Sequence, residues 1–289
     1  MIEIESFGAR LVAKVAAAGP LVVGIDPHPG LLSDWGLPLD ANGLERFALT
    51  CVEAFGAEVA LVKPQAAFFE AFGSRGVAVL ERTIAEARAA GALVIVDAKR
   101  GDIGSTMAAY ATAFLADDSP LAGDAVTLSP YLGFGSLDPA LELSEKTGRG
   151  VFALALTSNK EGPSVQRART DEGVSIAQSM VDAAAERNDG VQPLGHVGVV
   201  IGATVGRTDL DLSHLNGPVL APGLGAQGGT VADLRRLFGG ISGLVLPSSS
   251  RDVLRHGPDV AALRAAAVAT RESVRELGES TGVAGDFAS

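Results

Sequence analysis

Short apolar runs recur along the chain at 21–26 (LVVGID), 59–63 (VALVK), 92–97 (ALVIVD) and 124–128 (DAVTL), then at 151–156 (VFALAL), 196–201 (HVGVVI), 218–221 (PVLA) and 242–246 (SGLVL). Most are almost continuously apolar, the pattern of parallel strands covered by helices rather than of antiparallel strands with one wet face. Between them lie Ala-, Leu- and Glu-rich segments with helical periodicity, such as 75–90, 105–116 and 229–238. Eight strands alternating with helices predict a single (β/α)₈ TIM barrel, an α/β fold, over residues 1–275, preceded by an additional N-terminal helix around 3–17. A doubly wound open sheet is the main alternative. The last stretch, 276–289 (LGESTGVAGDFAS from Leu277), lacks apolar periodicity and is expected to be a loose tail. Residues 158–173 (SNKEGPSVQRARTDEG) form a polar excursion after the fifth strand.

Composition narrows the classes of function. The chain has 289 residues, 47% of them hydrophobic, enough to build a large core. Its net charge of −11 repels nucleic acid and anionic membrane surfaces, so an anionic ligand needs a locally positive pocket. The uncharged stretches 190–206 and 212–232 are interrupted by Gly, Pro, Gln, His and Asn and do not read as membrane spans. The opening MIEIESFGARL carries acids where a signal peptide needs a basic region, which predicts a cytoplasmic protein. Cys51 has no second cysteine to pair with, and His28, His196, His214 and His256 show no metal-ligand spacing. No metal is expected.

Charge then returns at the strand ends, where the loops of a parallel barrel build its functional mouth. Asp26 closes the first run, Lys63 the second, and Asp97 and Lys99 the third; Thr157 and Ser158 follow the fifth, Pro222 to Gln227 the seventh, and three serines with Arg251 the eighth. The chain holds five lysines against 18 arginines, yet two of the five stand at predicted barrel mouths. A lysine can hand over a proton, which arginine does not readily do. If the third strand extends far enough, Asp97 and Lys99 share a face and meet. Each residue also has a plain structural alternative. Asp97 and Lys99 could be an ordinary ion pair with Asp102 or Ser105 capping the next helix; Asp26 could fix the DPHPG turn, and Lys63 could be a solvated rim charge. Cys51, the histidines, Trp35, Phe68 and Phe69 read as packing or surface residues. The stretch APGLGAQGG at 221–229 is a Gly-rich loop between a strand and a helix, with backbone N–H groups suited to an oxyanion. Its position after the seventh strand matches the usual phosphate site of such barrels and excludes a dinucleotide fingerprint.

With these residues in view, the sequence resembles the orotidine 5′-phosphate decarboxylase family in its longer bacterial branch, across nearly the whole barrel. The signature D-x-K-x-x-D stands here as Asp97, Lys99 and Asp102, followed by Ile103 and Thr106; VKPQAAFFE, LTSN, APGLGAQGG and SSSR match as well. The resemblance implies decarboxylation of orotidine 5′-monophosphate to uridine 5′-monophosphate with no metal or organic cofactor. It implies that Lys99 stabilises and protonates the ring carbanion while Asp97 orients Lys63 and Lys99 beside the leaving carboxylate. It further implies a homodimer with shared active sites, in which Asp102 and Thr106 serve the neighbouring subunit and Ile103 contributes to substrate binding. Asp26 and Lys63 would meet the ribose, Ser158 the pyrimidine, and Gln227 and Arg251 the phosphate, with Pro222 and backbone N–H groups near Gly225 lining the site. The chain departs from the pattern in the 158–173 excursion, which leaves Thr157, Ser158 and Asn159 all open as pyrimidine contacts, and in the two extra serines before Arg251.

Three other readings remain. A magnesium-dependent sugar-phosphate decarboxylase or synthase of the same superfamily shares D-x-K-x-x-D, but uses an acid after the second strand where this chain has Lys63. A Schiff-base aldolase would use Lys63 or Lys99 as nucleophile. A phosphate-ligand sensor would need Gln227 and Arg251 but not the array of acids and lysines.

Overall fold

All eight apolar runs form strands: β1 Val22–Ile25, β2 Leu61–Pro64, β3 Leu93–Arg100, β4 Ala125–Leu128, β5 Gly150–Leu156, β6 Val197–Ile201, β7 Gly217–Pro222 and β8 Gly243–Ser249. The computed structural model describes residues 4–279 apart from 207, 240 and 242. The strands pair in chain order, all parallel, and β8 closes on β1 through Val22 opposite Ser248 and Val23 opposite Ser249. This is a (β/α)₈ barrel, and the open-sheet alternative is excluded by that closing pair.

Alternation along each strand explains both the continuous apolar runs and the charged ends. Val23, Val62, Val94 and Val126 point outward into a layer shared with the surrounding helices. Their neighbours Val22, Leu61, Ile95, Ala125, Phe152 and Leu246 point inward, into a second cluster with Phe7, Leu11 and Val15 of the N-terminal helix. That helix, Phe7–Ala18, is capped by Ser6, whose hydroxyl accepts from the Ala9 amide. It stoppers the base of the barrel: Phe7 meets Phe152 edge to face with ring centroids 6.1 Å apart. At the same end the buried Asp124 accepts the Val94 amide at 2.9 Å and pairs with Arg10. Because the base is sealed by apolar packing, the polar positions of the same inward rows are left at the opposite end.

One sequence expectation shifts. The final helix spans Val260–Glu279 and so continues past the expected boundary at 276, because Val274 and Leu277 remain buried at helical spacing and extend its packed face; residues 280–289 lie outside the described residues. Trp35 is a core anchor, stacked 4.2 Å from Phe47 with its indole N–H donating to the Leu254 carbonyl. Among the described residues no helix is long and apolar enough to cross a membrane.

Candidate active site

Continuing each inward row by two residues leads from the sealed core to the chemistry. Val22 leads through Gly24 to Asp26, Leu61 to Lys63, Ile95 to Asp97, Ala125 to Thr127 and Leu246 to Ser248. These groups converge on a cavity of about 250 Å³ at the C-terminal mouth, whose inner wall is the apolar trio Leu154, Val200 and Leu220.

Asp97 is the hub. Its Oδ2 accepts from Lys63 Nζ at 2.9 Å, and its Oδ1 accepts from Lys99 Nζ at 2.6 Å and from the Thr127 hydroxyl at 2.7 Å. Burial opposes ionisation of this carboxyl, but Lys63 and Lys99 outweigh it and hold Asp97 well below the usual carboxylate range. For Lys63, burial favours the neutral amine; Asp97 and then Asp26 overcome that, and the ammonium is held above its ordinary value. Both groups are therefore charged at neutral pH. The two lysines differ in access: the Lys63 side chain is 5% exposed and that of Lys99 43%. Of these two lysines, Lys99 is the more accessible to an entering molecule.

The expected simple strand geometry at Lys99 is not what brings it to Asp97. Lys99 has φ +48°, and the pairing of β3 with β4 slips between Val96 and Arg100. The chain leaves extended geometry at this residue, and the ammonium reaches the carboxylate from a kinked backbone. Arg100 then turns away from the mouth, pairing with Glu70 and lying over the rings of Tyr110 and Phe114.

Asp26 stands with Oδ1 3.8 Å from Lys63 Nζ; that oxygen is buried and accepts no hydrogen bond among the described residues, so it is not spent on fixing the DPHPG turn. Lys63 is no rim charge either, being enclosed between Asp97, Asp26 and Gln65, whose Oε1 it meets at 3.3 Å. On the far wall, Gln227 and Arg251 line the cavity together with Pro222. Both are exposed, and Arg251 makes no ion pair among the described residues.

The chain is similar over its whole barrel to known proteins. A family model described as orotidine 5′-phosphate decarboxylase / HUMPS family matches residues 19–266. The chain belongs to this family. The orotidine 5′-phosphate decarboxylase of Salinispora arenicola is 64% identical over 264 residues, covering 91% of this chain and 95% of that one. A crystal structure from Streptomyces avermitilis, provisionally named as the same enzyme, superposes with a TM-score of 0.92 at 58% identity, covering 96% and 98% of the two chains. The orotidine monophosphate decarboxylase of Leishmania donovani superposes at 0.71 with 29% identity, covering 95% and 99%.

Not every residue of the family motif faces the cavity of its own chain. Asp102, Ile103 and Thr106 lie outside it, Ile103 with 62% of its surface exposed. Nor does Asp102 cap the following helix, Gly104–Leu115: the N-cap is Ile103, without a side-chain cap bond, and Asp102 Oδ1 accepts the adjacent Ile103 amide at 2.8 Å. Ser158 is also exposed and off the cavity wall. Its neighbours are engaged with one another: the Thr157 hydroxyl donates to Asn159 Oδ1 at 2.6 Å and accepts from Gln166, which folds back from the polar excursion.

Within the Gly-rich loop, Gly225 and its neighbours are placed differently. Gly225, at φ +80°, lies behind the cavity with its N–H donating to the Gly229 carbonyl at 2.8 Å, so that amide is committed within the loop. A side chain there would collide with Asp252, since a Cβ would come 1.7 Å from its Oδ2. The loop faces the cavity instead through Gly223, Leu224, Ala226 and Gln227. Sequence reasoning did not single out Thr127 or Gln65, and took Ser248 only as one of three serines before Arg251. Each extends an inward row by one step, and that parity was the available signal.

Proposed function

We propose that this chain removes carbon dioxide from orotidine 5′-monophosphate to give uridine 5′-monophosphate, with Lys99 as the group that stabilises and protonates the ring carbanion. The observation that carries this reading is a buried, ionised Asp97 clasped by two ammonium groups, of which Lys99 is much the more exposed, 43% against 5% for Lys63. When the bond to the carboxylate breaks, its electron pair stays on the ring carbon in the plane of the pyrimidine, where the ring cannot delocalise it. Chemistry of this kind usually borrows an electron sink from a cofactor. Here the fixed Lys99 cation meets the developing charge and then gives it a proton, so no metal or organic cofactor is required.

The remaining residues fit the nucleotide. Arg251 and Gln227 take the phosphate with the cavity-facing backbone of the Gly-rich loop, which replaces Gly225 in that role. The unspent Asp26 oxygen accepts a ribose hydroxyl beside Lys63, and Leu154, Val200 and Leu220 give the pyrimidine an apolar wall. Of the three candidates after β5, Thr157 and Asn159 are engaged with each other, which leaves Ser158 for the pyrimidine edge although it stands off the cavity wall here. Phosphate contacts remote from the reacting carbon supply binding energy that positions the ring.

The enzyme acts as a homodimer in which Asp102, Ile103 and Thr106 complete the neighbouring site. In support, the loops after β3 and β4 run together, with the Ser129 amide on the Arg100 carbonyl at 2.7 Å, and they present the exposed Ile103, Tyr131 and Leu132 beside the mouth. A buried, unpaired Cys51 suits the reducing cytoplasm in which we place it.

The test is an absorbance assay with orotidine 5′-monophosphate before and after exhaustive EDTA treatment. Turnover to uridine 5′-monophosphate that survives EDTA supports the reading. Inertness toward this nucleotide, with magnesium-restored turnover of a sugar phosphate, would move the chain to the other branch of its family.

A further inference from the structure

We infer that Thr127, on β4, is a positioning residue for the catalytic lysine, an inference that rests on the decarboxylase reading above. Thr127 is 1% exposed and interrupts an apolar strand from the inward side. Its single hydroxyl does two things at once: it donates to Asp97 Oδ1 at 2.7 Å and accepts the backbone N–H of Lys99 at 3.0 Å. It thereby grips the lysine at both ends. The main chain is held directly, and the ammonium is held through the carboxylate oxygen that Thr127 and Lys99 Nζ share.

The grip falls where the backbone needs one. Lys99 is at φ +48°, a conformation uncommon for a residue with a long side chain and sustained only where the surroundings over-determine it. The β3–β4 ladder slips at the same place, between Val96 and Arg100. There the Thr127 side chain takes the Lys99 amide that the ladder would otherwise bond. Without the hydroxyl, that part-buried amide and the buried Asp97 Oδ1 each lose a partner, and the lysine backbone is free to relax to ordinary strand geometry. Nζ then moves relative to the reacting carbon, while the groups assigned to phosphate and ribose, on β1, β7 and β8, stay in place.

Steady-state kinetics with orotidine 5′-monophosphate, together with calorimetric binding of uridine 5′-monophosphate, test this. Thr127→Val keeps the shape and removes the hydroxyl; its kcat should fall about 100-fold, the order expected for a displacement of roughly 1 Å, while KM and product affinity stay within about threefold of wild type. Thr127→Ser restores the hydroxyl and should return kcat to within about fivefold of wild type. Should the valine variant fail to fold, Thr127→Ala carries the same test without new bulk at the site. A folded valine or alanine variant with wild-type kcat overturns the inference, as does a serine variant as slow as valine, or a loss shared equally by kcat, KM and product affinity. Wild-type protein inert toward the substrate overturns the decarboxylase reading itself, an outcome distinct from any of these.

Discussion

Asp97 Oδ1 lies 2.6 Å from Lys99 Nζ across a kink in the backbone that joins them, a short ionic contact with one partner buried and the other open to the cavity. The pair is arranged so that the cation faces whatever enters while the anion cannot leave. If Lys99 both balances the developing charge and donates the proton, Lys99→Ala removes both effects. Its kcat should fall by at least about 10,000-fold, combining losses typical of a general acid and of an electrostatic stabiliser. Product affinity, measured by calorimetry, should change far less.

The other side of Asp97 governs stability. Its depressed pKa stabilises the fold above the ordinary carboxylate range, and that contribution is lost as pH falls below about 4. Lys63, held above its ordinary pKa, stabilises the fold at all pH values below about 10 and loses that contribution only as pH rises through its folded value. Asp97→Asn removes the larger of the two attractions on Lys63, so burial prevails and the lysine pKa drops below the ordinary value. Denaturant unfolding should show a loss of about 3 kcal/mol at neutral pH, the scale of breaking a buried ion pair. The deficit against wild type should narrow as pH rises toward about 10, because an amine that favours neutrality in the folded state is then less penalised. A deficit independent of pH would show that Lys63 does not depend on Asp97.

Arg251 sits at the cavity rim without an ion-pair partner among the described residues, ready for an anion. Arg251→Ala should lower kcat/KM for orotidine 5′-monophosphate by about 100-fold, the order of a lost charged hydrogen bond. Orotidine, which lacks the phosphate, should suffer little further from the mutation. Equal penalties on both substrates would remove Arg251 from the phosphate site.

Sharing between subunits has its own signature. Lys99→Ala and Asp102→Ala homodimers should both be nearly inactive, yet a hybrid of the two has one site lacking both groups and one site with both intact. Random exchange makes about half the dimers hybrid, so activity should recover to about a quarter of wild type. Failure to recover, with hybrids demonstrated by mass spectrometry, would confine Asp102 to its own chain.

The charges that close otherwise apolar runs made much of this legible in advance. Asp26, Lys63 and Asp97 stand at strand ends, so a barrel reading put them at one mouth before any contact was known. Lys99 was placed beside Asp97 on the assumption of extended geometry, and the contact exists although that geometry does not. The slip that produces it depends on the pairing with β4, a long-range relation that spacing along one strand does not encode. Thr127 passed unnoticed because threonine is a good strand former and needs no special reason to occupy one. Gly225 was assigned by proximity to an oxyanion loop, but loop closure through Gly229 decides which amides remain available. The helical continuation to Glu279 was hidden because its last anchor, Leu277, lies among residues with weak periodicity.

The most direct test of the central claim is the fate of the proton. Orotidine 5′-monophosphate turned over in heavy water by the wild-type protein should release carbon dioxide and give uridine 5′-monophosphate carrying deuterium at the former carboxylate carbon, as read by NMR. The Lys99→Ala protein, folded and still binding product, should yield neither at a comparable rate. Wild-type protein that leaves the nucleotide unchanged, or a Lys99→Ala variant that decarboxylates it as fast as wild type, would contradict the account.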